Sequence, residues 1–352
     1  METSLSWRIT APLRSLHRIL VGSGNPPDPV ESADTLHVDR IEYPPEPPEG
    51  GYTSPSPPPA VRSTKKSFSA KWLVVSNCQT IGLAHSLSLL CPSVEVAACD
   101  IWQLSKNFSS WQSVLDQYEY VITLPDDQLR GVVDLSRLPR RIKVPAVKFR
   151  ALHPDITYVK MGDTILKGTM NDYHSALVLA AHRCGLSESQ ALALFRRDVY
   201  EKVGFFSLWD RERETLLGLF ESTGFDIRSD FLRWTRRGPF MYSFNHPRIF
   251  VLFDIAHHIA KRLYDGTIPQ SHILPHDNLA MGSIWPVYPE IAERYGIWEG
   301  SYLFKKMGEY TVMDIEQFIA ESYQAYGRLD HSRLLIGNPA YQAAIDLIQE
   351  GV

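Results

Sequence analysis

The sequence predicts an α/β fold with a parallel-sheet core, a mainly helical second half, and a proline-rich N-terminal leader outside both. Three observations carry this. Buried strand-like runs alternate with helical patterns from Lys71 to Leu124, amphipathic stripes at helical spacing dominate after Arg150, and half of the 24 prolines fall before residue 60. Strand, helix, strand at this spacing implies parallel strands, because each return to the same edge of a sheet needs a long crossover.

The leader, residues 1–67, contains "YPPEPPEGGYTSPSPPPA" from Tyr43 to Ala60. Such a segment has little to bury and favours extended polyproline II, so it is expected to be a disordered or semi-rigid linker. Ahead of it, Trp7, Leu13, Leu16, Ile19 and Leu20 are interleaved with Arg8, Arg14 and Arg18. Residues 1–22 read either as an amphipathic segment making peripheral contact with a membrane surface or an assembly partner, or as an inert tail; Pro12 favours the tail.

The globular part, residues 68–352, divides into an α/β half (68–160) and a mainly helical half (161–352). "WLVVS" (72–76), "VEVAAC" (94–99) and "YEYVITL" (118–124) are the expected strands. Leu83, Ala84, Leu87 and Leu90 mark one face of the helix between the first two. Further on, Tyr173, Leu177, Ala180, Ala181 and Cys184 form a stripe that Gly185 can end, and Ser187 with Gln190 has capping-box spacing. Ile249, Leu252, Phe253, Ala256 and Leu263 predict a helix after Pro247.

Composition excludes several classes. The 352 residues are 44% hydrophobic and carry a formal net charge of -4, so no basic field recommends nucleic acid as a partner. Cys78, Cys91, Cys99 and Cys184 have neither C-x-x-C spacing nor disulfide-scaffold density, which fits a reduced, cytoplasmic setting. No apolar run reaches the ~18–20 residues needed to span a bilayer, and the first residues lack a secretory pattern. Metal binding is not expected: there is no H-E-x-x-H and no Cys/His quartet at zinc spacing, His257 and His258 diverge on a helix, and Pro275 separates His272 from His276.

The chemistry concentrates after the first strand, in Ser76-Asn77-Cys78-Gln79. Sites in parallel α/β sheets lie beyond the strand carboxyl ends, where a turn hands the chain to a helix N-terminus and free N–H groups favour an anion or oxyanion. A thiol and two carboxamides there supply a nucleophile and donors. The alternative is that Asn77 caps the helix and Cys78 is a small buried residue. Neither G-x-G-x-x-G nor G-x-x-x-x-G-K-[ST] is present, which removes support for the common nucleotide cradles.

"VVSNCQTIGLAHSL" resembles the "GNCQ" opening of the WcbI-type capsular polysaccharide biosynthesis family. "LHPDITYV" (152–159), "NDYHSALVLAA" (171–181) with "GLSESQALALF" (185–195), and "FNHPRIFVLFDIA" (244–256) follow the same family in order. The resemblance implies an acetyl-coenzyme A-dependent O-acetyltransferase that modifies a sugar hydroxyl of a capsular or related polysaccharide. It also implies an SGNH-like α/β core, with Ser76-Asn77-Cys78 in place of the Gly-Asp-Ser of SGNH/GDSL hydrolases. Ser76 departs from the usual glycine. Assembly of such polymers implies a cytoplasmic enzyme, peripheral at the inner membrane.

Acetyl transfer needs a base, oxyanion donors and a place for the coenzyme's phosphates. Cys78 and Gln79 are expected at the reaction centre, with His246 or His153 as base, because histidine titrates nearest neutrality. His246 has a rival reading in which Asn245 or His246 caps the helix and Pro247 fills its first position. Asn77, Asp155, Asn245 and His174 are expected to bind the saccharide acceptor, although His174 also fits a structural histidine and Asp155 a turn. Ser76, with Lys143 and Arg150 from the basic run Arg140, Arg141, Lys143, Lys148 and Arg150, is expected near coenzyme A, unless that run is a solvated face. Trp209, Trp234, Trp285 and Trp298 suit sugar stacking, with a core role as the default. Two rivals to the transferase are an SGNH-type esterase that removes acyl groups from a glycan without a coenzyme, and a non-enzymatic glycan-binding or assembly protein.

Overall fold

The computed structural model describes residues 68–351 apart from 107, 130, 131, 137, 139, 271, 272 and 328. The expectations for the leader, including contact through residues 1–22, lie outside the described residues. In chain order the core begins with β1 (Ala70–Ser76), α1 (Thr80–Leu90), β2 (Val94–Asp100), α2 (Ile101–Lys106), α3 (Phe108–Leu115), β3 (Tyr120–Thr123), α4 (Asp126–Leu129) and β4 (Arg141–Lys143). The four strands form one parallel sheet in the order β2-β1-β3-β4.

β1 is central and buried on both sides, which is why it reads as an unbroken apolar run. Its side chains alternate between two cores. Trp72 and Val74 join Leu83, Leu87 and the aliphatic interior of the second half, whereas Leu73 and Val75 join Ala97, Cys99, Ile101 and Leu104 under the α2–α3 side. β4 was not among the expected strands, because its Arg141-Ile142-Lys143 is short, polar and at the sheet edge.

The chain then adds β5 (Ile156–Thr157) and β6 (Val159–Met161), and from residue 161 on β7 (Thr164–Ile165), β8 (His174–Ser175), α5 (Ala176–Arg183), α6 (Glu188–Leu192), α7 (Arg197–Lys202), α8 (Trp209–Ser222) and α9 (Arg228–Arg236). It closes with β9 (Met241–Ser243), β10 (His246–Pro247), α10 (Ile249–Leu263), α11 (Pro289–Tyr295), α12 (Ile315–Tyr326), β11 (Leu334–Ile336) and α13 (Pro339–Gln349). Two of the caps that sequence suggested are present. Gly185 follows α5 with φ +73, a left-handed conformation open to glycine, and Ser187 and Gln190 form the reciprocal capping box of α6.

Two features of this half position the site. α10 lies directly against α1, where Gly82 leaves room for Leu252; a Cβ at Gly82 would stand 2.6 Å from the Leu252 Cδ1. β9 and β10 form a tight antiparallel hairpin whose turn is Phe244-Asn245. The helix follows Pro247 as expected, but the rival reading in which Asn245 or His246 caps it and Pro247 fills its first position is corrected. His246-Pro247 remain extended, as a residue before proline prefers, Arg248 takes the N-cap position, and the Ile249 N–H is satisfied by the Asp277 carboxylate at 2.8 Å. Among the described residues no helix is long and apolar enough to cross a membrane.

Candidate functional site

The chain leaves β1 toward β2 on one side and later returns to β3 on the other, so Asn77–Gln79 sits at the carboxyl edge where the strand order reverses. That is where open α/β sheets carry their sites. The turn is built by short local bonds. Asn77 Oδ1 accepts the Gln79 N–H at 3.1 Å, and Thr80 Oγ1 donates to the Asn77 carbonyl at 2.6 Å while accepting the Ser76 N–H at 3.1 Å. Asn77 thus braces the turn, but it does not cap the helix as the alternative expected: the N-cap position belongs to Gln79, and no side chain caps it. Cys78, however, is left half-buried with its sulfur free of any cap.

The Gln79 carboxamide is only 3% exposed and is fully engaged. Its Oε1 accepts the Val147 N–H at 3.0 Å, and its Nε2 donates to the Val147 carbonyl at 2.8 Å and the Asn245 carbonyl at 3.0 Å. Both amide hydrogens are spent. Gln79 is a positioning residue that ties the β1 turn to the segment after β4 and to the β9–β10 hairpin, with no donor left for an oxyanion.

Cys78 packs against Ile249, Leu252 and Leu279. Its sulfur faces two acceptors, Asn77 Oδ1 at 3.8 Å and the Asn245 carbonyl at 4.0 Å. Burial pushes the thiol up to about 12; its own backbone N–H and, more weakly, Lys148 favour the thiolate, while Asp100 at the end of β2 opposes it. The sulfur is therefore a neutral S–H donor at neutral pH.

The hairpin turn organises the other half of the site. Asn245 Oδ1 accepts from Tyr173 Oη at 2.6 Å and from Ser243 Oγ at 3.0 Å, and its Nδ2 donates to Tyr158 Oη at 3.1 Å. Tyr173 Oη lies 3.3 Å from His246 Nε2. Because the tyrosine hydrogen goes to Asn245, the histidine carries its proton on Nε2, leaving a lone pair on Nδ1. Nδ1 is buried and has no hydrogen-bond partner among the described residues. Beside it runs the Gly282 backbone, where a Cβ would stand 3.6 Å from Nδ1. Burial pushes the imidazole down to about 4, with Asp172 opposing, so His246 is an uncharged base through the neutral range.

The structure thus brings Asn77, Cys78, Gln79, Asn245 and His246 together around one hairpin turn. It does not bring the remaining candidates there. His153 is 1% exposed, donates from Nε2 to the Trp285 carbonyl at 3.0 Å, and is pushed by burial from its ordinary 6.5 to about 3. Asp155 is fully buried, where its carboxylate accepts Leu177 N–H at 3.0 Å and Tyr288 Oη at 2.7 Å and so anchors the start of α5. His174 bridges Tyr326 Oη at 3.1 Å and the Leu166 carbonyl at 3.0 Å. Arg150 donates to the Ile156 carbonyl at 2.5 Å and lies 4.4 Å over the Phe244 ring. Lys143 shares Asp126 with Arg141, at 2.6 and 2.5 Å. Ser76 is the exception: it lies buried at the start of the Cys78 turn, with its N–H bonded to Thr80 Oγ1. Of the basic run, exposed Lys148 is the member whose charge reaches Cys78. Tyr158, Tyr173 and Ser243 were missed as site residues; Tyr173 read as part of an apolar stripe, and nothing local marked its hydroxyl.

His153 gives a pH prediction. Its folded pKa lies below its unfolded one, so between about 3 and 6.5 the unfolded chain binds more protons and stability rises with pH. At pH 5 neutral His153 costs about 2 kcal/mol relative to pH 7, from about 1.4 kcal/mol per unit. Urea denaturation at both pH values should show the wild type losing more stability than His153→Gln. Equal losses would contradict the buried, neutral assignment.

The site belongs to the class of α/β proteins whose chemistry sits on strand-to-helix turns at the carboxyl edge of a parallel sheet. Residues 71–264 match the profile of the family described as "Polysaccharide biosynthesis enzyme WcbI", and the chain belongs to that family of enzymes. A solved structure of WcbI is similar, with a TM-score of 0.58 at 16% identity over 80% of this chain and 95% of that one. It is described as a novel polysaccharide biosynthesis enzyme, in its native form without a disulfide bond between coenzyme A and one of its cysteines. At that identity the likeness is one of fold. No curated protein matches the sequence.

Proposed function

We propose that this enzyme moves acetyl from acetyl-coenzyme A to a sugar hydroxyl in capsular or exopolysaccharide biosynthesis. The observation that carries the reading is the pairing of a neutral, unpartnered imidazole nitrogen on His246 with the Cys78 turn, joined through Asn245. The coenzyme is suggested by the similar WcbI structure, described in terms of coenzyme A and a cysteine. In this reading His246 Nδ1 takes the proton of the acceptor hydroxyl as its oxygen attacks the thioester carbonyl; the C–S bond breaks, and the leaving thiolate regains that proton from His246. Lys148 has no ion pair among the described residues and is available to the coenzyme's phosphates.

Direct transfer is favoured over an acetyl-enzyme. Burial pushes the thiol up to about 12, so Cys78 is held as the neutral thiol at pH 7, and its sulfur faces acceptors rather than a base. Cys78→Ala is expected to retain turnover within about tenfold, since a lost S–H contact is worth ~1 kcal/mol. Release of free coenzyme A in the presence of acceptor measures it. A Cys78 peptide carrying one acetyl group after rapid quench, together with an inactive Cys78→Ala, would sink direct transfer. Calorimetric titration with coenzyme A separates the transferase from an esterase, which needs no coenzyme.

A further inference from the structure

The four tryptophans suited to sugar contact separate in the structure. Trp234 and Trp285 are buried and Trp209 stacks on Tyr295 at 4.5 Å, but Trp298 is 72% exposed. It opens a segment, 298–312, in which Leu303, Met307, Tyr310 and Val312 are also exposed, Tyr310 to 87%. Five large apolar side chains exposed within fifteen consecutive residues are more than scattered single exposures.

This segment is fastened to the candidate site. The Gly308 N–H bonds the Met281 carbonyl at 2.9 Å, and Lys305 Nζ donates to the carbonyls of Ala280 at 3.1 Å and Gly282 at 3.3 Å. Gly282 is the residue whose backbone flanks His246 Nδ1. On another side Met307 Sδ accepts from Asn171 Nδ2 at 3.7 Å, next to Asp172, whose charge reaches His246. Glu299 lies 3.9 Å from Arg248, two residues beyond His246. Near Trp298, one edge of the indole rests on Gly238, 3.1 Å from where a Cβ would be, so the ring is held while most of it stays open.

Charge narrows the occupant. The segment's two cations are committed, Lys305 to carbonyls and Lys306 to Glu321 at 2.6 Å, and Glu299 and Glu309 add negative charge. Within the segment a nucleotide diphosphate or an anionic membrane surface finds no uncommitted cation, and the exposed Arg236 and Arg237 lie outside it, beside the Gly238 that carries the Trp298 ring. Open aromatic rings among polar groups fit the apolar faces and hydroxyls of pyranose rings.

We propose that residues 298–312 form an acceptor platform for a carbohydrate chain of several sugars, with Trp298 and Tyr310 stacking on rings at subsites beyond the hydroxyl presented to His246. The proposal rests on the acetyl-acceptor reading of the site. It places acetyl transfer after glycosidic-bond formation, on an assembled glycan, rather than on a nucleotide-activated monosaccharide.

The test is binding to an array of capsular and exopolysaccharide fragments, from monosaccharides to octasaccharides, alongside nucleotide sugars. It compares the wild type with Trp298→Ala and Tyr310→Ala, both exposed positions whose folding circular dichroism verifies. Expected is a gain of about tenfold or more from monosaccharide to oligosaccharide, lost in each variant with monosaccharide binding unchanged. Tighter binding of nucleotide sugars, chain-length dependence intact in both variants, or a change in oligomeric state on sedimentation would overturn it. Because the readout needs no acetyl donor, chain binding without acetyl transfer leaves the platform standing and sinks only the transferase reading; transfer without chain-length dependence does the reverse.

Discussion

Replacing His246 with glutamine is expected to lower kcat/KM for acetyl transfer by about 10²–10⁴-fold, the contribution of a positioned general base. Glutamine can still donate toward Tyr173 Oη, so the hairpin geometry survives while the Nδ1 lone pair is lost. The pH profile carries a second signature. Burial holds His246 near 4, so it stays unprotonated down to about that pH, and the acid limb of kcat/KM should fall there rather than at the ordinary histidine value. Lowering pH through that value protonates the base and removes activity; raising it restores activity. His153→Gln supplies the contrast: its Nε2 is bonded to the Trp285 carbonyl and its Nδ1, also without a partner among the described residues, is enclosed in the core, so turnover at neutral pH should stay within a fewfold of wild type.

The largest structural effect is expected at Gln79. Removing its carboxamide in Gln79→Ala leaves the Val147 N–H and carbonyl without their partner in a buried setting, and cuts the tie to the Asn245 carbonyl. An unsatisfied buried backbone group costs about 1–3 kcal/mol, so the variant should lose roughly 3–5 kcal/mol. Gln79→Glu should be no better, because an ionised carboxylate can accept from Val147 but cannot donate to two carbonyls. Urea denaturation measures the loss. Below the transition, the remaining folded enzyme should also turn over slowly, because the Cys78 turn and the His246 hairpin are no longer held in register. Full activity with a small stability loss would show that Gln79 does not join the two halves of the site.

The first strand, its turn and the following helix were legible in the sequence because β1 is apolar on both faces and the period changes at Ser76-Asn77-Cys78-Gln79. β4 was not, because an edge strand of three residues with two charges carries no hydrophobic pattern. The same limit applied to individual roles. Gln79 was visible as a polar group at a promising place, but its partners stand 68 and 166 residues away, and only folding shows that they use both of its amide hydrogens. His153 and Asp155 looked like a histidine–carboxylate constellation, yet the first is taken up by a core carbonyl and the second by the start of α5. His246 was legible as a histidine fixed before a proline. What the sequence could not carry was its tautomer, which depends on Tyr173 giving its hydrogen to Asn245.

The proposed reaction requires the thioester to reach the turn between Cys78 and His246. A crystal structure of the enzyme soaked with millimolar coenzyme A tests it most directly. The coenzyme's sulfur is expected beside the Cys78 side chain, with the adjoining space open toward His246 and a phosphate within reach of Lys148. Coenzyme A bound with its sulfur away from this turn, or an empty turn at that concentration, would contradict the account.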